Sequence, residues 1–311
     1  MKICPITYQD IKWSQNYSDR GLKAISGKLT NLKVFPYTAI EQRRKSEELS
    51  SKMSIQGIQP KLSAKINVKE KTFEIVSKGG RYILKPQTAN YKFLPENEDL
   101  TMRLAAAAGM EVPLHGLIYS KDKTFTYFIR RFDRKGQTQK IHIEDFAQLS
   151  GESRDTKYES SMEKVAEIVS KFCTFPVIQK LELFKRTVFS FLVGNEDMHL
   201  KNFSVIVRDD VVQLSPAYDF VNSTIVVANP KEEMALPVNG KKNKLTYNDI
   251  VKYYAMDRLE IAPKASQEIL DGFKSCMSEW SDLVSKCFLP EKEKERYKSI
   301  IEDRARRLRI V

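Results

Sequence analysis

The side chains best suited to chemistry lie between residues 189 and 220. Asp197 and Asn202 are five positions apart in a polar loop, and Asp219 follows a predicted pair of strands. A carboxylate can orient an acceptor hydroxyl and take its proton. An amide and a second carboxylate offer hard oxygen ligands to the Mg²⁺ that bridges ATP phosphates. These residue types in this order predict a phosphotransferase centre that uses ATP and Mg²⁺.

The context of the loop decides between catalysis and a plain turn. Aspartate and asparagine in a loop are turn residues more often than catalytic ones. Here the loop lies between an apolar helix predicted to end at Gly194 and a predicted hairpin over 205–214, and it also carries His199. The separation of Asp197 from Asn202 equals that between the catalytic Asp and the metal-binding Asn of protein-kinase loops. Together these features favour the catalytic interpretation.

A second group of candidate residues lies earlier, in a strand-rich region. A loop with Gly57 and Lys61 could contact phosphates through backbone and side-chain donors, but it is no Walker A motif, and a lone Gly usually marks a turn. Runs 72–76 and 81–85, joined by Ser-Lys-Gly-Gly, are predicted to pair as a hairpin. Lys85 ends the second run. It is either a kinase-type lysine that pairs with the α- and β-phosphates or an exposed strand-end lysine.

The next predicted helix could supply a partner for Lys85. It is expected to begin with Asn97 as N-cap and to end at Gly109. Glu98 or Asp99 could pair with Lys85, as the αC carboxylate of kinases does, or both could be first-turn acids that favour the helix dipole. The second interpretation is preferred for Asp99, and both stay open for Glu98.

The predicted secondary structure changes near residue 130. Before it the pattern favours strands, including a hairpin over 115–130. After it helices dominate, over 143–149, 160–172 and 176–194, with three or four more before the C-terminus. The sequence therefore predicts an α+β protein with two lobes, residues 1–130 and 131–311.

Composition narrows the class of protein. Of 311 residues, 41% are apolar and 30% are charged, which is typical of a soluble globular protein. No apolar run is long enough to span a bilayer, and the N-terminus lacks an apolar signal core, so a cytoplasmic protein without membrane contact is expected. Four scattered cysteines without a C-x-x-C pair indicate buried, reduced thiols.

The charge of the chain admits two interpretations. A formal net charge of +12 fits either a lysine-coated surface or contact with nucleic acid. The densest cluster, residues 304–309, could contact phosphates or a partner protein, or it could be the exposed basic end of a helix.

Several short segments, taken in order, carry a resemblance. They are Ser54–Lys61, Tyr82–Pro86, Asn97–Glu98, Ala108–Pro113, Arg131–Arg134, Gly194–Ser204 and Pro216–Asp219. In this combination the chain resembles the HipA family of bacterial toxin kinases over roughly residues 50 to 300. The resemblance implies a two-lobed protein-kinase-like fold and ATP-dependent phosphorylation of serine or threonine.

The resemblance also implies roles for individual residues. Asp197 would be the catalytic base, and Lys85 the lysine that pairs with phosphates. Asn202 and Asp219 would bind Mg²⁺. Family members autophosphorylate a serine of the phosphate loop, and Ser54 holds that position. Further ATP contacts are implied for Gln56, Gly57, Lys61, Arg130, Phe132 and His199.

Two departures from the family pattern affect the expected partners and contacts. Only 53 residues precede Ser54, where the family has a β-rich subdomain of about a hundred residues. The chain therefore resembles the shortened HipT type, in which a separate HipS protein corresponds to that subdomain. A HipB-like antitoxin that binds operator DNA is the second implied partner, so DNA would be contacted indirectly. Arg130 replaces the acid of the HipA hinge, so only a backbone contact with adenine is expected there.

The resemblance implies a Ser/Thr protein kinase that is the toxin of a type II toxin–antitoxin system. Its expected substrate is an aminoacyl-tRNA synthetase, and its expected regulation is autophosphorylation at Ser54. Two alternatives stay open: a small-molecule phosphotransferase of similar fold, and a non-catalytic kinase-fold corepressor in a DNA-bound antitoxin complex. Intact Asp197, Asn202 and Asp219 argue against the corepressor.

Overall fold

The structure, a computed structural model, describes residues 2–50, 59–136, 139–152, 158–227 and 229–311. Contacts within the chain define two units. The strand-rich unit comprises Met1–Leu100, Pro113–Gln139 and Ser285–Leu289, and the helical unit comprises Thr101–Val112, Lys140–Val284 and Pro290–Val311. Each unit is built from separate segments, and the predicted domain cut after residue 130 stays a prediction.

The strand-rich unit begins with a layer of short elements. They are β1 (Lys2–Ile3), β2 (Asp10–Ile11), α1 (Asp19–Ile25) and α2 (Ala39–Ser50). The hydroxyl of Ser18 caps α1 by accepting from the Gly21 N–H at 3.1 Å. Apolar side chains of this layer share one buried core with the sheet of the unit, among them Cys4, Ile6, Leu22, Phe35, Leu62, Phe73 and Phe128.

The sheet of this unit has five antiparallel strands. They are β3 (Leu62–Asn67), β4 (Thr72–Ile75), β5 (Tyr82–Lys85), β6 (His115–Tyr119) and β7 (Phe125–Arg130), in the order β4-β3-β5-β7-β6. The predicted hairpin over 115–130 is confirmed, since β6 pairs with β7.

The predicted pairing of 72–76 with 81–85 is wrong, although both runs are strands. β3 lies between them, so that Ala64 faces Ile75 on one side and Tyr82 on the other. The Gly-Gly turn carries the chain past β3, and a Cβ on Gly80 would lie 1.9 Å from the Ser63 Oγ. The turn signal marked a reversal of direction, but it could not show which strand each run pairs with.

The helix after β5 is α3 (Leu94–Ala107). It begins before the predicted cap, because the Asn97 N–H already donates to the Phe93 carbonyl at 3.0 Å. Gly109, at φ +74°, ends it as predicted. The earlier start moves Glu98 and Asp99 beyond the first turn, where they were expected, and places Glu96 in the first turn.

A strand pair, β8 (Arg134–Lys135) and β9 (Gln139–Lys140), lies where the strand-rich segment Pro113–Gln139 ends. The helical unit then contains β10 (Ile143–Asp145), α4 (Phe146–Ser150), α5 (Met162–Phe172), α6 (Pro176–Val193), β11 (Ser204–Arg208) and β12 (Val211–Leu214). A π-helix over Asn248–Arg258, α7 (Pro263–Lys286) and α8 (Glu291–Arg307) complete the chain.

Two predictions made for this part of the chain have different outcomes. The helix expected over 143–149 begins only at Phe146, because Asp145 and Gln148 form a capping box and residues 143–145 pair with β11 instead. The hairpin over 205–214 is confirmed as β11 and β12, with Asp209 and Asp210 both at positive φ in its turn.

Two further predictions concern membrane spans and cysteines. Within the described residues, the helices all fall short of the length and apolarity that crossing a membrane would require. Cys4, Cys173, Cys276 and Cys287 are free thiols, and all four are buried, as the sequence predicted.

Candidate active site

The loop that carries Asp197 is fixed at its start by Gly194. This residue ends α6 at φ +76°, and a Cβ there would lie 2.7 Å from the Asn222 Oδ1. The hydroxyls of Ser223 and Thr224 both donate to the Gly194 carbonyl, at 3.2 and 3.1 Å. Only glycine satisfies both the positive φ and this close approach, so the end of the helix sets where the loop begins.

The backbone of the loop is held from within. The Asn202 Nδ2 donates to the Asp197 carbonyl at 2.8 Å, and the Asp197 N–H donates to the Asn195 Oδ1 at 3.1 Å. The Asp197 side chain itself remains 49% exposed. The structure thus brings Asp197 and Asn202 together and leaves the carboxylate accessible to an incoming hydroxyl group.

Two aromatic rings adjoin that carboxylate. The Tyr158 Oη donates to the Asp197 Oδ1 at 2.5 Å, and the His199 Nε2 lies 3.9 Å from the same oxygen. The rings of Tyr158 and His199 meet edge to face with their centroids 5.0 Å apart. His199, a predicted nucleotide contact, is buried within the loop that carries Asp197.

Asp219 is joined to the same loop through its neighbour Tyr218. The Tyr218 hydroxyl donates to the carbonyl of Lys201, the residue before Asn202, at 3.0 Å, and also bonds to the Ser204 hydroxyl. The Ser215 N–H donates to the Ser204 carbonyl at 2.9 Å. The segment that ends in Asp219 is thereby held against the segment that carries Asn202.

The side chains of Asn202 and Asp219 fit a magnesium ion chemically. Because the amide nitrogen of Asn202 is committed to the Asp197 carbonyl, its oxygen is the atom that remains to bind a cation. No group of three or more His, Cys, Asp or Glu side chains that could hold a metal occurs among the described residues. Mg²⁺ in phosphotransferases typically uses one or two protein carboxylates or amides, with phosphates and water as its other ligands.

In the strand-rich unit, Lys85 has the kinase-type partner that the sequence left open. The Lys85 Nζ lies 2.5 Å from the Glu98 Oε1, and each side chain is 3% exposed. The Lys85 ammonium also lies 5.6 Å from the centre of the Tyr127 ring. A strand lysine paired with a helix carboxylate is the arrangement that positions a phosphate-binding lysine in kinases.

The other two acids of α3 have partners of their own. The His115 Nδ1 and the Asp99 Oδ1 are 2.9 Å apart and both side chains are buried, so Asp99 does more than favour the helix dipole. Gln87 donates to Glu96 at 2.7 Å. Burial raises the pKa of Glu96 to about 7.

The structure describes only some of the remaining predicted ATP contacts. Ser54, Gln56 and Gly57 lie outside the described residues, and of that loop only the end at Lys61 is described. The Lys61 N–H donates to the hydroxyl of Ser46, a residue of α2, at 3.0 Å, which fixes the backbone where the loop joins β3.

The predicted hinge begins at Arg130, whose side chain bonds to other residues of the strand-rich unit. It donates to the carbonyls of Ala24 and Ile25 at 2.5 and 3.1 Å, at the C-terminal end of α1. The Arg130 N–H donates to the Leu114 carbonyl at 2.7 Å. An adenine contact at Arg130 would therefore use its backbone carbonyl, and Phe132 follows in the same segment.

The arginines at the C-terminus are largely structural. Arg304 is buried and donates to the Phe191 carbonyl at 2.6 Å, while Arg307 donates to both oxygens of Glu233 at 2.6 and 2.8 Å. The Arg309 guanidinium lies 4.5 Å from the centre of the Tyr247 ring. Arg304 and Arg307 therefore brace the helical unit, while Arg306 and Arg309 are the exposed arginines of the cluster.

Sequence reasoning missed two tyrosines at the site. Tyr218 lies beside a predicted ligand, and its neighbour Asp219 could have drawn attention to it. Tyr158 precedes Asp197 by 39 residues, and no local pattern indicated that the two would meet.

Comparison with known proteins identifies relatives by sequence. Residues 53–280 match the family described as HipA-like C-terminal domain. A Haemophilus influenzae protein named "Putative kinase" is 32% identical over 240 residues, which are 71% of this chain and 68% of that protein. The "Serine/threonine-protein kinase toxin HipA" of Shewanella oneidensis is 30% identical over 192 residues, 55% of this chain but only 43% of that protein.

Solved structures show the fold. Shewanella oneidensis HipA, determined with HipB and its operator DNA, has a TM-score of 0.70 at 22% identity, over 90% of this chain and 72% of that one. The Helicobacter pylori proinflammatory kinase CtkA has a TM-score of 0.53 at 15% identity, over 73% of this chain and 86% of that one. These likenesses confirm the predicted α+β, two-lobed kinase-like fold. Because the family match spans residues 53–280, and the chain covers 68% of a relative to which it is 32% identical, the chain belongs to the family of HipA-like C-terminal domains.

Proposed function

We propose that the chain is an ATP-dependent serine/threonine protein kinase and the toxin of a type II toxin–antitoxin system. The observation that carries the proposal is the state of Asp197. Its backbone is held by Asn202 and Asn195, while its carboxylate is 49% exposed. A general base must be both fixed in place and reachable by the hydroxyl whose proton it takes.

The other residues supply the remaining functions of a phosphotransferase. Lys85, held by Glu98, would pair with the α- and β-phosphates, and Asn202 and Asp219 would hold Mg²⁺. Bound Mg²⁺ would neutralise the charge that develops on the transferred phosphoryl group. The additional nucleotide contacts in this proposal are Gln56, Gly57, Lys61, Arg130, Phe132 and His199.

The decisive experiment measures transfer of radiolabelled phosphate from ATP to proteins of a cell lysate and, in parallel, to small-molecule acceptors. Asp197→Asn should abolish transfer. Asp210→Asn is the matched control, because this exposed aspartate lies in the β11–β12 turn at φ +61°, which asparagine tolerates. Equal transfer by the Asp197 variant and the wild type would refute the proposal. Transfer to small molecules alone would favour the small-molecule phosphotransferase.

The proposed metal ligands can be tested separately. Asp219→Ala should lower turnover on the order of a hundredfold, comparable to the loss of one preorganised electrostatic contact. Titration of the variant with Mg²⁺ gives the second readout. Near-normal turnover at saturating Mg²⁺ would remove Asp219 from the metal site.

Substrate and regulation extend the proposal. An aminoacyl-tRNA synthetase is the proposed acceptor, and a purified set of synthetases with radiolabelled ATP tests it directly. Ser54 is the proposed autophosphorylation site. A phosphoserine there, with a charge of about −1.5 to −2, would compete with ATP phosphates for the donors of its own loop. Intact mass and site mapping after incubation with Mg-ATP, with ATP binding measured before and after, would refute this if the phosphate maps elsewhere or ATP binding is unchanged.

The proposed partners are a HipB-like DNA-binding antitoxin and a HipS-like small protein of a HipT-type system. Shewanella HipA, one structural neighbour, was solved with HipB and operator DNA. Exposed apolar side chains of the strand-rich unit, namely Trp13, Val34 and Ile40, offer surface for a small protein. Co-purification of the Asp197→Asn variant with the products of neighbouring genes tests both partners, and recovery of the variant alone would count against them.

A further inference from the structure

The carboxylate of Asp197 already accepts a hydrogen bond from a hydroxyl group of the chain itself. Tyr158 Oη donates to Asp197 Oδ1 at 2.5 Å, the short distance that is typical of a bond to a charged oxygen. Tyr158 lies in the connection between α4 and α5, far from the catalytic loop in sequence. The side chains of Asn195 and Asn202 already hold the Asp197 backbone in place without the contribution of Tyr158. The contact therefore needs an explanation other than support of the loop.

The environment of Tyr158 would allow its side chain to move away from Asp197. One edge of its ring rests on buried His199, yet the residue is 40% exposed overall. Partial burial, followed by the hydrogen bond to Asp197, raises the pKa of the Tyr158 hydroxyl. The group therefore stays protonated and donates a hydrogen bond to the carboxylate, as the hydroxyl of a serine or threonine substrate would.

We propose that Tyr158 occupies the position of the acceptor hydroxyl on Asp197 and must be displaced by the substrate. The inference rests on the proposed function, since it takes Asp197 as the general base. The Tyr158 hydroxyl fills one hydrogen-bonding direction at the Asp197 Oδ1, so a hydroxyl that approaches from that direction must replace it. Tyr158 would thus keep water out of that one position, although the carboxylate is half exposed elsewhere, and the fraction of molecules with Tyr158 displaced would set the apparent affinity for the acceptor.

Removal of the Tyr158 hydroxyl should admit water as the acceptor. The water oxygen then bonds to the γ-phosphorus, the bond from that phosphorus to the β,γ-bridging oxygen breaks, the water proton passes to Asp197, and ADP leaves. Tyr158→Phe should therefore raise ATP hydrolysis in the absence of any protein acceptor by about threefold to tenfold, since it removes a competitor that masks the base. Tyr91→Phe is the matched control, because Tyr91 is similarly exposed at 45% and lies outside the site.

A second measurement needs no nucleotide. Thermal unfolding is followed for the wild type, Tyr158→Phe, Asp197→Ala and the double variant, because alanine offers no acceptor to the Tyr158 hydroxyl. Loss of the Tyr158 hydroxyl should lower the Tm by about 2 °C when Asp197 is present and by clearly less when it is alanine. Equal shifts in both backgrounds would show that the hydrogen bond is absent in solution, and the inference would fall.

The outcomes separate this inference from the proposed function. If the wild type phosphorylates itself or a protein, and Tyr158→Phe hydrolyses no more ATP than the wild type, the inference falls while the kinase proposal stands. A lower rate of protein phosphorylation without extra hydrolysis would also overturn it, because Tyr158 would then position Asp197 for the reaction. If neither protein transfers phosphate to any acceptor, the proposed function and the inference fall together.

Discussion

The buried pair of Lys85 and Glu98 allows the sharpest test of how this fold is stabilised. The two charged atoms are 2.5 Å apart, and each side chain is 3% exposed. Glu98→Gln keeps the size of the side chain and removes its charge. The buried ammonium of Lys85 would then lose the charge of Glu98, and we expect the strand-rich unit to lose stability.

The magnitude follows from burial. Removal of one partner from a buried ion pair costs about 3–5 kcal/mol, because the remaining charge is no longer compensated. Glutamine still offers an oxygen to the ammonium, so we expect the lower end, about 3 kcal/mol. With roughly 2–4 °C per kcal/mol, the Tm should fall by about 10 °C.

Lys85→Met provides the other side of a double-mutant cycle. Each single substitution removes one member of the pair and leaves the other in place, whereas the double variant removes both. The double variant should therefore lose much less stability than the sum of the two single losses.

Chemical denaturation without nucleotide measures these changes apart from catalysis. Glu74→Gln is the matched control: its pair with Lys65 lies in the same sheet at 3.5 Å, but the two side chains are 50% and 46% exposed. An exposed pair contributes at most about 1 kcal/mol. If Glu98→Gln costs no more than Glu74→Gln, the Lys85–Glu98 pair does not stabilise the fold, and the reasoning from burial is wrong.

Three further substitutions and one control have defined outcomes. The pKa of Glu96 is raised by burial from 4.5 to about 7, so the folded state keeps a proton that the unfolded state releases, and the free energy of unfolding should fall by about 3 kcal/mol as the pH rises through this window. Glu96→Gln should flatten that pH dependence, as measured by urea denaturation at pH 5 and pH 8. Gly194→Ala should cost about 2–4 kcal/mol by the same assay, from positive φ and the clash with Asn222. Arg304→Met should cost about 2–4 kcal/mol, because it removes a buried donor from the Phe191 carbonyl, whereas exposed Arg306→Ala should cost less than about 0.5 kcal/mol.

Local sequence signals predicted the ends of elements correctly where one or two residues determine the backbone conformation. Pro176 and Gly194 bound α6 as predicted, and the Asp209-Asp210 turn joins β11 to β12. Each of these features depends on the conformation of one or two residues, which the sequence displays directly.

Pairing between distant segments was less accessible to sequence reasoning. The turn between β4 and β5 was recognised, yet both strands pair with β3, which precedes them. The choice depends on which strand buries the larger apolar face, and that is decided by the whole sheet. Tyr158 and Asp197 are a second case, because a hydrogen bond across 39 residues leaves no local pattern.

The run of acids at 96, 98 and 99 shows why residue roles remained open at a correctly identified helix. Adjacent helix positions point about 100° apart, as 3.6 residues per turn requires, so each acid faces a different neighbour. Glu98 meets Lys85, Asp99 meets His115, and Glu96 meets Gln87. With a helix expected to begin after an Asn97 cap, Glu98 and Asp99 were first-turn acids, and either would favour the dipole equally. Because α3 begins at Leu94, both acids lie beyond its first turn, and the packing of the helix on its sheet makes Glu98 the partner of Lys85.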